Sequence, residues 1–170
     1  MIIEIPRKYK TNKEKLGYIG EYLVKHIFGG ELSENKFDMK KDITLSTGEM
    51  IEVKTQNRDK YRNMFTVNTM NKNQVEKCVN VDKLYFVEYD SSDTIRVWMC
   101  SDRTYTIHET SDGRLMAGWP ISKMTMIGML EDNELARQMR SLSQSRDYSL
   151  NSRSEEHTSE LQSQFRISYA

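Results

Sequence analysis

Apolar residues recur at helical spacing along residues 12–28. Leu16, Ile19, Leu23 and Ile27 form one stripe, which Val24 and Phe28 widen. Asn12 can cap the start and Gly29-Gly30 can stop the end, so a helix is predicted over this stretch. The period then changes from 3.6 to two. Residues 41–56, KDITLSTGEMIEVKTQ, read as a β-hairpin, with Gly48 taking the left-handed conformation that ends a three-residue loop, Ser46-Thr47-Gly48. That loop sets the register: Leu45 faces Glu49, Ile43 faces Ile51 and Asp42 faces Glu52. Cross-strand partners share a face and faces alternate. Ile43, Leu45, Ile51 and Val53 are therefore predicted to face a core. Asp42, Glu52 and Lys54 are predicted on the opposite side.

Downstream, residues 64–69 alternate as a strand. Residues 73–79 read as a short helix with Val75, Cys78 and Val79 inward. Residues 83–89, with LYFVE at the centre, predict a buried strand, and 94–100 predict another through Ile95, Val97 and Met99. Asp90-Ser91-Ser92-Asp93 makes the turn between them. Further strands are predicted over 103–108 and 124–130, with a turn at Asp112-Gly113. A last helix is predicted over 132–142, with Leu135, Met139 and Leu142 on its apolar face. Residues 1–11 read as a leading strand or arm ended near Pro6. This order implies an α/β domain with a mixed central sheet flanked by helices.

Composition narrows the class. No apolar run reaches the length of a membrane span, and the first ten residues lack the order of a signal peptide, so no membrane partner and a cytoplasmic setting are expected. Cys78 and Cys100 stand far apart without a CxxC, which fits a reducing compartment and argues against a zinc ribbon. Cys78 is read as a core residue. The net charge is zero but uneven: residues 1–80 carry 15 Lys+Arg against 11 Asp+Glu, and residues 81–152 carry 8 against 11. A neutral total leaves nucleic-acid binding open, because phosphate contact depends on local charge.

The charged face of the hairpin carries the chemistry. Two carboxylates and an ammonium on one small face suit a hard divalent cation and a phosphodiester. An acid opening one strand, Asp42, and acid-x-Lys on the next, Glu52-Val53-Lys54, resemble the motif of the PD-(D/E)XK nuclease superfamily, which includes restriction endonucleases and Holliday-junction resolvases. Lys41 stands where that family usually has proline. The resemblance covers residues 16–56, and Glu21 is the candidate for the further acid the family often carries on its first helix. A solvated boundary glutamate is the alternative for Glu21. The letters YIG at 18–20 do not indicate a GIY-YIG nuclease, since the segment reads as helix.

The resemblance implies a restriction-endonuclease-like fold and a Mg²⁺-dependent DNA endonuclease, small, single-domain and phage-type or resolvase-like, with Mn²⁺ able to substitute. If phage-encoded, it would work in the host cytoplasm. Asp42, Glu52 and the Val53 carbonyl would hold the metal, and Lys54 would orient water and stabilise negative charge. Glu21 would position a second ion or the lysine. Gln56, next on the same face, would contact water or phosphate. Arg58, Lys60 and Arg62 would hold backbone phosphates, or form a solvated loop. A homodimer would suit cutting of two strands. Asp38 also precedes Glu52, but it lies outside the hairpin register and reads as an outer group or turn residue. The competing class is a nucleic-acid- or protein-binding module whose acidic face is idle.

Residues 153–170, RSEEHTSELQSQFRISYA, match the translation of a sequencing-adapter oligonucleotide with an eight-base index. They are read as a non-native, disordered tail and set apart from the domain, 1–152.

Overall fold

The computed structural model describes residues 1–33, 42–59 and 63–147, with side chains to 143. Asp38, Lys60, Arg62 and the 153–170 segment lie outside the described residues. The fold is α/β. Its elements are helix α1 (Asn12–Phe28), strands β1 (Glu31–Leu32), β2 (Ile43–Thr44), β3 (Met50–Asn57) and β4 (Met64–Asn68), helix α2 (Lys72–Asn80), strands β5 (Lys83–Tyr89), β6 (Thr94–Cys100), β7 (Thr106–Glu109), β8 (Leu115–Pro120) and β9 (Thr125–Glu131), and helix α3 (Asn133–Asp147). No helix among the described residues is long and apolar enough to cross a membrane.

The central sheet has the order β1-β2-β3-β5-β6-β9. β3 and β5 pair in parallel and the other neighbours are antiparallel. The parallel pair requires a crossover, which β4 and α2 supply. One face of the sheet packs on α1 and α3. Ile19, Leu23 and Val24 of α1 and Leu135 and Met139 of α3 meet Ile51, Val53, Tyr85, Val87, Ile95 and Val97 in one buried cluster. The opposite face is not covered by helix alone. There α2 lies beside a second sheet, of order β4-β8-β7. Phe65, Ala117 and Trp119 of that sheet bury against Leu84 and Phe86 of β5 and Val75 and Cys78 of α2. The Phe65 and Phe86 rings stack with centroids 4.3 Å apart. β5 is thus buried on both sides, which explains its near-continuous apolar sequence.

Two expectations need correction, and one alternative is decided. The N-cap of α1 is Thr11, not Asn12: Glu14 N–H donates to Thr11 Oγ1, and the Glu14 side chain returns to the Thr11 N–H as a capping box. Of the two readings of the first residues, strand or arm, the structure shows the arm. Ile3 N–H donates to Gln138 Oε1 at 3.1 Å and Ile3 C=O accepts from Gln138 Nε2 at 2.9 Å, which fastens the arm to α3. The strand predicted from Arg103 starts at Thr106, because the Arg103 guanidinium turns inward to the end of α2.

Candidate active site

The hairpin forms in the expected register. Gly48 has φ 89°, and Leu45 N–H donates to Glu49 C=O while Gly48 N–H donates to Leu45 C=O, closing the loop at 46–48. Ile43 pairs with Ile51. Ile43, Ile51 and Val53 enter the core with α1, and Leu45 packs at its margin. Asp42 then departs from the simple ladder. Its N–H donates to Ile51 C=O at 2.8 Å, and its Oδ2 accepts the Val53 N–H at 2.9 Å. The first acid is therefore tied to the backbone of the acid-x-Lys triplet.

Glu52 and Lys54 share a face with their β5 neighbours Leu84 and Phe86, the face that α2 and the second sheet cover. The two acids are consequently buried: Glu52 completely, and Asp42 nearly so. Lys54 stays 24 % exposed and opens the site to solvent.

Two helices complete the walls. α1 comes unusually close to β3 at Gly20, where an added Cβ would lie 1.9 Å from Thr55 Oγ1. That approach brings Glu21 within electrostatic reach of Asp42 and Glu52. α2 is seated by Val75 and Cys78, and its C-terminal end is held by Arg103. The Arg103 Nη1 donates to the carbonyls of Cys78 at 3.0 Å and Val81 at 2.9 Å. This seating directs Gln74 and Lys77, one turn apart, at the acids. Gln74 Oε1 accepts from Lys54 Nζ. Lys77 Nζ lies 3.0 Å from Asp42 Oδ1 and 3.3 Å from Glu52 Oε1. Lys54 Nζ lies 3.2 Å from Glu52 Oε2.

Charge is short on one side: three acids meet two lysines. Burial first, then Asp42, push the Glu52 pKa up to about 8. Burial and then Asp42 raise Glu21 to about 9. Burial also works against ionised Asp42, but its hydrogen bond with Glu52, the two lysines and the Val53 N–H outweigh it and hold its carboxyl below the ordinary value. Burial works against the Lys77 ammonium in the same way, and Asp42 and Glu52 more than restore it. Asp42 thus stays ionised while Glu52 and Glu21 are held toward their protonated forms. Tyr9, from the N-terminal arm, is pushed up to about 12 by burial and then by Glu21.

The structure brings together Asp42, Glu52, Lys54 and Glu21, and removes Gln56. Both ends of the Gln56 amide brace β4, with Nε2 donating to Met64 C=O at 2.8 Å and Oε1 accepting from Thr66 N–H at 2.9 Å. Arg58 is tethered rather than free for phosphate, since its Nη1 donates to both oxygens of buried Glu88 at 2.9 Å. Cys78 is a core residue as expected, its thiol pushed up to about 12 chiefly by burial. In α2, Val79 points outward at 37 % exposure and Lys77 takes an inward place. Lys77, Gln74 and Tyr9 were missed. A lysine beside Val75 and Cys78 carries no sequence signal that separates it from a solvated one.

The donors suit a hard cation such as Mg²⁺. Glu52 Oε2 is buried without a hydrogen-bond partner. The Val53 carbonyl leaves the strand on the same edge as the N–H given to Asp42. Among the described residues no three His, Cys, Asp or Glu side chains already form a metal cage. Lys77 stands between the two central acids instead. Comparison with family models and with curated proteins finds no match to the chain.

Proposed function

We propose that the chain is a Mg²⁺-dependent DNA endonuclease that hydrolyses phosphodiester bonds. The observation that carries this reading is the meeting of Asp42, Glu52 and Lys54 at the end of one hairpin, with Glu21 drawn in from α1. The element order supports it: helix, hairpin, strand, helix, strand is the order that the PD-(D/E)XK resemblance implies.

Asp42, Glu52 and the Val53 carbonyl would hold the ion. When bound, Mg²⁺ supplies positive charge to the phosphate and eases loss of a proton from water. Lys54 acts from the solvent side of the site. Its partly exposed ammonium meets the scissile phosphate, and Gln74 fixes its direction. Negative charge that develops on phosphate oxygens is stabilised there without reorganisation of the protein. Glu21, drawn in from α1 beside the two central acids, would position a second ion or the lysine.

A second reading draws on a different observation. Glu52 is wholly buried and neutralised by lysine, which is also how a nucleic-acid- or protein-binding module with an idle acidic face would be built. One experiment separates the two. The protein is incubated with linear, supercoiled, single-stranded and four-way-junction DNA, with Mg²⁺, with Mn²⁺ or with chelator. The nuclease reading expects metal-dependent cleavage of at least one substrate. Binding without cleavage of any of them would favour the idle module.

A further inference from the structure

Lys77 has the place that a metal ligand set leaves for its ion. It is buried, and its Nζ bridges one oxygen of each central acid, 3.0 Å to Asp42 Oδ1 and 3.3 Å to Glu52 Oε1. The neighbouring oxygen, Glu52 Oε2, is buried and has no hydrogen-bond partner. Lys54 lies 3.2 Å from it, without the direction of a hydrogen bond. The cluster is therefore closed by an ammonium that satisfies part of its negative charge. We propose that Lys77 is an exchangeable counter-cation, which occupies the space between Asp42 and Glu52 in the metal-free protein and withdraws from it when a divalent ion binds. This rests on the nuclease reading of the same acids, and goes beyond it by assigning to α2 a residue that competes with the ion.

The physical argument is one of exclusion. Mg²⁺ draws its oxygens to about 2.0–2.1 Å. An ammonium that already bridges the same two carboxylates cannot remain beside a doubly charged ion in a site of low dielectric. Lysine is suited to leaving, since its charge rides on a flexible four-carbon stem and is strongly hydrated outside. In the metal-free protein its charge also does what an apolar residue could not. Without it the buried Asp42 charge loses its ion-pair partner and Glu52 Oε1 loses a donor, and breaking a buried pair from one side is strongly destabilising.

The test uses the whole chain, with Mg²⁺ and Mn²⁺ as probes, and reads stability and labelling rather than cleavage. Thermal midpoints are measured for the wild type and for Lys77→Met in chelator and in each ion. Near neutral pH the wild type should gain less between chelator and Mg²⁺ than the variant does, because the ion has to displace the ammonium first. Lys77→Met should lose about 5 °C or more in chelator and recover most of that in Mg²⁺, with tighter Mn²⁺ binding than the wild type. Reductive methylation of the wild type, read by mass spectrometry, covers the case in which the variant does not fold. Lys77 should be protected in chelator and become reactive in Mn²⁺. If Mn²⁺ stabilises the wild type while Lys77 stays protected, the exchange is refuted and the metal reading survives. If neither ion changes stability or labelling of the wild type, and neither binds the variant, the metal reading falls and the exchange with it.

Discussion

The Asp42 carboxylate accepts the Val53 N–H at 2.9 Å, so the first acid of the site is fixed by the backbone between Glu52 and Lys54. Asparagine can keep this bond, because its amide oxygen is also an acceptor. Charge and structure can therefore be separated at this position. Asp42→Asn should fold but lose metal-dependent cleavage by about 10²-fold or more, with weaker metal binding. Asp42→Ala should lose stability as well, since the Val53 N–H keeps only its longer bond to Glu52 Oε1, at 3.2 Å, and buried Lys77 loses one of its two counter-charges. Single-turnover cleavage across a Mg²⁺ titration, with Asp38→Asn in parallel, checks the assignment. Asp38→Asn should retain activity, and the reverse result would move the first acid to Asp38.

Lys54 should separate chemistry from binding. It is partly exposed and held by Gln74, whereas the fold is held by the apolar clusters on either side of the sheet. Lys54→Ala is expected to keep its fold and its DNA affinity and to lose about 10²- to 10³-fold in cleavage rate. Gln74→Ala should lower the rate less, with KM for DNA unchanged. Near wild-type cleavage by Lys54→Ala would refute the proposed role.

Gly20 sets how closely α1 approaches β3. A methyl group there would overlap Thr55 Oγ1, whose short side chain has little room to yield. Gly20→Ala should cost about 1–3 kcal/mol in chemical denaturation, and it should disturb Glu21 one residue on. Gly17→Ala is the control, since nothing lies within 4 Å of a Cβ at that position.

The buried acids should make metal-free stability depend on pH. Glu52 and Glu21 have folded values of about 8 and about 9 against an ordinary 4.5. Between those values the folded chain holds protons that the unfolded chain has released. Stability from these two groups is full below the ordinary value and is lost as pH rises through the folded values. Asp42 has the opposite sign: its lowered pKa contributes stability above its ordinary 3.8, lost as pH falls through the folded value. In chelator, thermal midpoints should therefore fall from mildly acidic pH toward pH 9, and saturating Mg²⁺ should flatten the fall. A midpoint independent of pH over that range would contradict the charge arrangement described for the cluster.

Much of the site was legible because it is local. The hairpin register follows from a glycine with left-handed backbone at position 48 and from the period of two. Those alone put Ile43, Ile51 and Val53 on one side and Asp42, Glu52 and Lys54 on the other. The same local signals marked α1, β5 and β6 within a residue of their ends. The strand β8 was not foreseen, since LMAGWP has no clean alternation and owes its state to pairing with β4 and β7. Nor could the sequence say that the charged face of β3 is covered. Periodicity tells which residues of α2 lie together, not where the crossover sets the helix against the sheet. That seating, made by Val75, Cys78 and Arg103, is what buries Lys77 between Asp42 and Glu52. Asp42, Glu52 and Lys54 were written in a sixteen-residue stretch; the approach of Glu21 and the counter-charge facing the acids were decided by packing between elements distant in the chain.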